Sequence, residues 1–293
     1  MDRLRSALSA IGAVLTGTGV LILLFVAYQL WGTGLYTARA QDDLRSEFEA
    51  KLAAPTTTTT TGAAPAPTPP PPPTGEAVAI IRIPKIGVDK QVVEGTGLAD
   101  LRKAPGHYPS TPLPGTVGNA AIAGHRTTYG APFNRLDELE AGDEILVTTL
   151  GGSYTFKVEE KKVVSPSQVE VLDPTPVAKL TLTTCHPKYS AKQRLVIVAG
   201  LAAGQEAAPA PPPAGDVPEA EAPDALADAG LGSGHSRVPT TLWGLLTAAV
   251  GVAWWWAVRR RRHWTTYLAG VVPFLVVLFV FYANLELLLP ANF

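Results

Sequence analysis

Charge and hydropathy divide this chain before any motif does. Residues 6–38 contain no charged side chain, and the apolar core at 8–31 is long enough to cross a bilayer as a helix. Two further uncharged apolar stretches, 238–258 and 264–285, lie near the other end, with aromatic residues toward their ends. Between them the period changes from that of helices to that of strands. Apolar and β-branched residues alternate over 77–83, 87–93, 120–124, 144–149, 154–164, 179–184 and 195–199, with Gly, Pro, Asp and Asn at the breaks. Short helical turns are expected at 98–102 and 133–136. Many short strands at close spacing predict an all-β domain that closes, or nearly closes, into a barrel.

The remaining segments are polar. Residues 39–53 read as a short helix with Leu44, Phe48 and Leu52 on one face and Glu47 four residues before Lys51. This is expected to be a stem continuing the first span. Residues 54–75 include six consecutive threonines and five consecutive prolines. Such a segment cannot bury a core and is expected to extend as polyproline II, reaching on the order of 65 Å at about 3.1 Å per residue. A second Ala/Pro-rich tether is expected over 202–237.

Basic residues set the expected topology. Arg3 and Arg5 precede the first span, and Arg259-Arg260-Arg261-Arg262-His263 lies between the last two. Positive charge favours the cytoplasmic side, so both clusters belong there and the middle of the chain lies outside. The expected order is a cytoplasmic basic start (1–5), a transmembrane helix (6–37), a polar stem (38–53), a disordered linker (54–75) and one globular domain (76–201). A second disordered linker (202–237), a transmembrane helix (238–258), a cytoplasmic basic loop (259–263), another transmembrane helix (264–285) and an extracellular tail (286–293) follow. A signal peptide competes for the first stretch, with Ala38-Arg39-Ala40 as a faint cleavage site. The apolar run exceeds the usual signal core of about 7–15 residues, which favours a retained anchor. Wedged between two spans, the arginine run reads as a topology determinant rather than a nucleic-acid contact.

A single cysteine excludes a disulfide scaffold. That cysteine, Cys185, ends the strand-like run AKLTLTTC. His125 lies sixty residues upstream and Arg194 nine downstream, where the next strand begins. A thiol, an imidazole and a guanidinium at strand ends are the parts needed for acyl transfer through a thioester. On position alone, a buried structural cysteine is the competing reading. Other candidates are weaker. His186 and Arg126 adjoin Cys185 and His125, but successive strand residues face opposite sides. His107 sits in a turn-like Pro105-Gly106-His107-Tyr108. Cys185, His186 and His125 have no zinc-ligand spacing, Glu159, Glu160 and Asp173 form no calcium loop, and Asp137, Glu138 and Glu140 read as a solvated turn. Neither a metal nor a cofactor is expected.

These residues resemble a known family. TLTTC followed by His186-Pro187 and Arg194, Gly124-His125-Arg126 with Pro132-Phe133 after it, Gly118-Asn119-Ala120 before it, and Ile83-Pro84-Lys85-Ile86 together resemble the sortases, membrane-bound cysteine transpeptidases of Gram-positive bacteria. AGHRTTYGAPF and TLTTCHP are most similar to the class E, housekeeping-type enzymes of high-GC actinobacteria. The resemblance implies an eight-stranded sortase-type β-barrel over 76–201. It implies Cys185 as nucleophile, His125 as general acid and base, and Arg194 as the donor to the oxyanion, with Tyr129, Thr183 and Thr184 as candidate substrate contacts. The expected reaction cleaves a C-terminal LAxTG- or LPxTG-type sorting signal of a surface protein between Thr and Gly. The acyl group then passes to an amine of a lipid-linked peptidoglycan precursor. The C-terminal pair of spans departs from the commonest one-anchor layout of that family. Two alternatives are a pilin-polymerising sortase with a lysine acceptor and a non-catalytic membrane assembly module. No Asp-Pro-aromatic lid, expected of the former, occurs between Ala54 and Ala77. The internal Leu113-Pro114-Gly115-Thr116-Val117 mimics a sorting motif but reads as a loop.

Overall fold

The computed structural model describes residues 2–54, 72–209, 237–260 and 264–286. Residues 55–71 of the polyproline segment, most of the second tether, Arg261 to His263 and the tail after Glu286 lie outside the described residues. Contacts divide the chain into a helical unit, 1–32 with 232–290, and a barrel unit, 33–231 with 291–293.

In the helical unit, α1 (Asp2–Ala27) leads into a π-helical turn at Tyr28–Gly32, and α4 (Arg237–Arg260) and α5 (Trp264–Glu286) form the C-terminal pair. One N-terminal and two C-terminal helices are long and apolar enough to span a membrane. Phe25 meets Tyr282 and Tyr28 meets Phe279, each with ring centroids 5.1 Å apart and edge to face. At the end of α4, Arg259 and Arg260 lie 4.3 and 3.7 Å over the rings of Trp255 and Trp256.

The barrel unit opens with α2 (Thr33–Ala53), which is longer than the expected stem and docks on the barrel. Thr33, Thr37, Gln41, Leu44 and Phe48 are buried at helical spacing. Leu44 and Phe48 pack with Ala77, Ile80, Val93 and Ala104, whereas Leu52, expected on the same face, is exposed. A helix whose apolar residues recur every three or four positions must cover them. Here the outer side of the first hairpin does so.

Eight strands close the barrel: β1 (Ala77–Ile83), β2 (Val88–Glu94), β3 (Gly106–His107), β4 (Asn119–Ala123), β5 (Glu144–Thr149), β6 (Gly152–Val164), β7 (Lys179–His186) and β8 (Gln193–Leu201). Their order around the wall is β1-β2-β3-β4-β7-β8-β6-β5, with β5 returning to β1. β2–β3 and β4–β7 are parallel; the other pairs are antiparallel. α3 (Leu98–Leu101) and short 3-10 turns at Pro84–Ile86, Leu136–Glu138 and Val169–Leu172 fill the connections.

Strand alternation sorts the two sides of the wall. Ile81, Ile122, Phe156, Leu180, Leu182 and Ile197 point inward and are buried in one core, each contributing about 1.5–3 kcal/mol of apolar burial. Two expectations change and one holds. His107 belongs to a two-residue strand rather than a turn, because its backbone pairs with Glu94 on one side and Ile122 on the other. Residues this few leave no period to read. The start of the second tether, up to residue 209, is held to the barrel. The Ala202 amide donates to the Thr155 carbonyl, and the Thr155 amide to Gln205 Oε1. The Val117 amide in turn donates to the Ala208 carbonyl. The Leu113–Val117 stretch is indeed a loop, with Gly115 at φ 95° because the Tyr154 ring occupies the place of any Cβ.

Candidate active site

The site is assembled by register. β7 and β8 pair antiparallel with Cys185 directly opposite Arg194, so the thiol and the guanidinium share one face as a cross-strand pair. β4 runs parallel to β7 with a constant offset of sixty, from Asn119↔Lys179 to Ala123↔Thr183. The pairing continues one step further, where the Gly124 amide donates to the Thr183 carbonyl at 3.1 Å and the Thr184 hydroxyl to the Gly124 carbonyl at 2.7 Å. His125 therefore follows at the level of Cys185. Alternation puts Leu180 and Leu182 inside, hence Thr181, Thr183 and Cys185 outside. On β8, Leu195 and Ile197 are inside, hence Arg194 outside.

Gly124 is required by close approach. A Cβ there would meet the Phe133 ring, itself buried in the core, and the Phe133 amide donates to the His125 carbonyl. Glycine thus lets the chain turn from β4 over the core into the His125 loop.

Surroundings differ among the three groups. Cys185 is half-buried. Arg194 is buried, and its Nη1 donates to the Ala191 and Gln193 carbonyls at 2.9 and 3.3 Å, which aims the guanidinium along the loop between β7 and β8. His125 is 9% exposed, and its Nε2 is buried with no hydrogen-bond partner among the described residues. Its ring lies 4.9 Å from that of Tyr129, and Arg102 lies 5.5 Å over the far partner, Tyr129. Burial, with the Arg102 charge added, pulls the imidazole down from 6.5 to about 4.

The residues after His125 and Cys185 turn to the opposite side, as alternation demands. Buried Arg126 donates from Nη1 to the Cys185 carbonyl at 3.2 Å and to His186 Nδ1 at 3.0 Å. Its other terminal nitrogen pairs with Asp137 at 2.9 Å, so Asp137 is an ion-pair partner and not merely a solvated turn residue. Lys188 links the two loops by donating to Asn134 Oδ1 at 3.1 Å.

The candidate substrate contacts divide. Thr183 shares the outer face with Cys185 but is buried, with its hydroxyl 3.1 Å from that of Tyr108. Burial pushes the Tyr108 phenol up, against the pull of Thr183 and the Arg194 charge. Thr184 faces the other way and ties β7 to β4. Tyr129 is buried at φ 52°. Sequence reasoning missed Arg102, Tyr108 and the α2 face. The recurrence of Thr33, Thr37 and Gln41 every four residues was the available signal for the last. Below the site, Asn119 accepts from Thr181 at 2.7 Å and donates to the Val171 and Asp173 carbonyls, holding the segment before β7 over the outer wall. Among the described residues no group of three His, Cys, Asp or Glu could hold a metal ion.

Residues 81–202 match the family model described as the sortase domain. The chain is 34% identical to sortase SrtE1 of Streptomyces coelicolor over 64% of this chain and 55% of that protein. It is 36% identical to sortase D of Bacillus subtilis over 39% of this chain and 57% of that protein. Over residues 81–202 the chain is a sortase domain. It spans little more than half the length of these two curated relatives. Among solved structures, sortase E of Streptomyces avermitilis is 39% identical, covering 44% of this chain and 90% of that one at a TM-score of 0.41. A Clostridium perfringens sortase D5 transpeptidase is 30% identical, covering 56% and 99% at a TM-score of 0.48. The matched residues take in nearly all of the closed eight-stranded barrel, and His125, Cys185 and Arg194 all lie within them.

Proposed function

We propose that this chain is a membrane-anchored cysteine transpeptidase. It cleaves a C-terminal LAxTG- or LPxTG-type sorting signal between Thr and Gly and passes the acyl group to an amine of a lipid-linked cell-wall precursor. The observation that supports this reading is the register, which pairs Cys185 with Arg194 across β7 and β8 and ends the β4–β7 pairing at Ala123↔Thr183, two residues before both His125 and Cys185. On the outer face the Cys185 thiol is half-buried, whereas the inner face is packed core.

The chemistry follows from the surroundings of each group. With its imidazole held near 4, His125 is neutral at neutral pH and able to accept a proton. As the Cys185 sulfur attacks the Thr carbonyl, its proton passes to His125, which hands it to the departing Gly amine. The thioester remains on Cys185. The incoming amine attacks it, loses a proton to His125, and the thiol re-forms. Arg194 donates to the oxyanion in both tetrahedral intermediates, a fixed cation on a partly dry surface. In this reading Tyr129 borders the peptide, while Thr183, buried against Tyr108, and Thr184 hold the wall together.

The spans belong to the same picture. Their basic flanks support a multi-pass cell-membrane protein with the barrel outside. Substrate tail and lipid-linked acceptor share that membrane, so tethering raises effective concentration without a new contact. The test is transfer by the full-length chain in detergent, given LAxTG or LPxTG peptides and an amine. Formation of the peptide–amine adduct is expected. Hydrolysis with no transfer to any amine contradicts the proposal.

A further inference from the structure

The segment that packs on the His125 loop is not part of the barrel at all. The first turns of α2 touch Tyr129, whose ring lies against the imidazole, and Arg102, which lies over Tyr129. The Thr33 hydroxyl accepts the Tyr129 amide at 3.2 Å, and the Thr37 hydroxyl donates to the Arg102 carbonyl at 2.9 Å. One turn on, Gln41 accepts the Gln91 amide at 2.8 Å and donates to the Gln91 and Lys103 carbonyls, each at 3.2 Å. All three α2 side chains are buried. Between the two threonine contacts lies the stack already described, Arg102 over Tyr129 and Tyr129 against His125.

The loop so held is one that needs holding. Tyr129, Gly130 and Ala131 have φ of 52°, 71° and 42°. Two of these are side-chain-bearing residues in the left-handed region, a conformation that persists only where the surroundings over-determine it. Thr33 fixes the first of the three by its amide, and Gly130 lies against Thr37.

We propose that Thr33 and Thr37 of α2 are positioning residues for the acid–base step, clamping Tyr129 and Arg102 over His125 so that the imidazole stays covered beside the thiol. This rests on the assignment of His125 as the acid–base group. The titratable or charged groups around the imidazole are Arg102 after α3, Tyr129 of its own loop, Cys185 of β7 and Arg194 of β8; α2 brings only neutral Thr33 and Thr37. The clamp thus acts by cover and by fixing the Arg102 cation, not by a charge of its own. Residues that the family match leaves out, since it begins at residue 81, become part of the working site.

The experiment is carbethoxylation of the full-length, detergent-solubilised chain by diethyl pyrocarbonate, read by mass spectrometry at His125 and, as internal control, at buried His107. The double variant Thr33→Val with Thr37→Val keeps shape and removes both hydroxyl contacts. Labelling of His125 is expected to rise at least about tenfold, each lost bond being worth a factor of a few. His107 should be unchanged, and Thr33→Ser with Thr37→Ser should restore protection. Labelling of His125 within about twofold of the parent, against that tenfold expectation, overturns the clamp. If the valine pair unfolds, shown by equal gains at His107, Arg102→Gln decides. The His125 imidazole should then titrate closer to its ordinary 6.5, and an unmoved titration overturns the proposal. Neither readout requires turnover, so an inactive chain would refute the proposed function while leaving this test intact.

Discussion

Two histidines of this barrel are both buried and could hardly be treated more differently. His107, in the seam between β2 and β4, has Nδ1 2.8 Å from Glu94 and Nε2 3.0 Å from the Pro112 carbonyl and 3.1 Å from the Thr111 hydroxyl. Every polar atom of its ring is engaged by the fold. His125, just past the end of β4, has an aromatic ring against it, a cation over that ring, and an Nε2 without a partner among the described residues. A satisfied buried imidazole holds a structure together; an unsatisfied one is costly and keeps its place only where something else needs it. Burial alone does not separate the two. Partner chemistry does.

The sharpest way to break this comparison is to remove each ring in turn. His125→Gln should lower transfer by about 10²–10⁴-fold, the usual worth of a positioned acid–base group, with the fold intact by circular dichroism. His107→Gln should do the reverse, leaving Glu94 buried without its partner. It should cost about 1–3 kcal/mol in denaturant unfolding while activity per folded molecule persists. Arg194→Ala comes next, with an expected loss of about 10²–10³-fold in kcat/KM, about 3–4 kcal/mol of barrier, and little change in peptide binding.

Acid sharpens it further. The unfolded chain binds a proton at His125 near 6.5, whereas the folded chain does so only near 4. Between those values the unfolded state holds more protons, so lowering the pH favours unfolding. The contribution is absent above 6.5 and grows to at most about 3 kcal/mol as pH falls to 4. Subtracting the stability–pH curve of His125→Gln from that of the parent should isolate this slope; parallel curves would mean the imidazole is not held neutral. The smallest expected effect belongs to the wall itself. Thr184→Val removes the bond to the Gly124 carbonyl and should cost about 1 kcal/mol in thermal unfolding.

Much of this was legible in the chain, for physical reasons that also explain what was not. β5 and β6 alternate because mainly one face is buried, whereas β1, β7 and β8 are buried on both faces and show as short apolar, β-branched runs. All five could be read within a residue or two. Cys185 and His125 stood out as candidates because packing does not call for a lone thiol and a glycine-flanked histidine at strand ends. Opposite-facing His186 and Arg126 followed from a period of two, and they do meet each other on the far side. The two-residue β3 had no period to show. The docking of α2 was hidden because its face is built from threonine and glutamine as much as from Leu44 and Phe48. Such residues read as a polar stem until the carbonyls they bind are known. Arg102 carries no motif, and only the fold brings its charge to the Tyr129 ring.

The most direct measurement is the mass of the enzyme itself after mixing the full-length chain with an LAxTG or LPxTG peptide in the absence of any amine, followed by acid quench and peptide mapping. The account predicts a gain equal to the peptide fragment ending at Thr, attached at Cys185 and released by hydroxylamine. No adduct, or an adduct on any other residue, would contradict it.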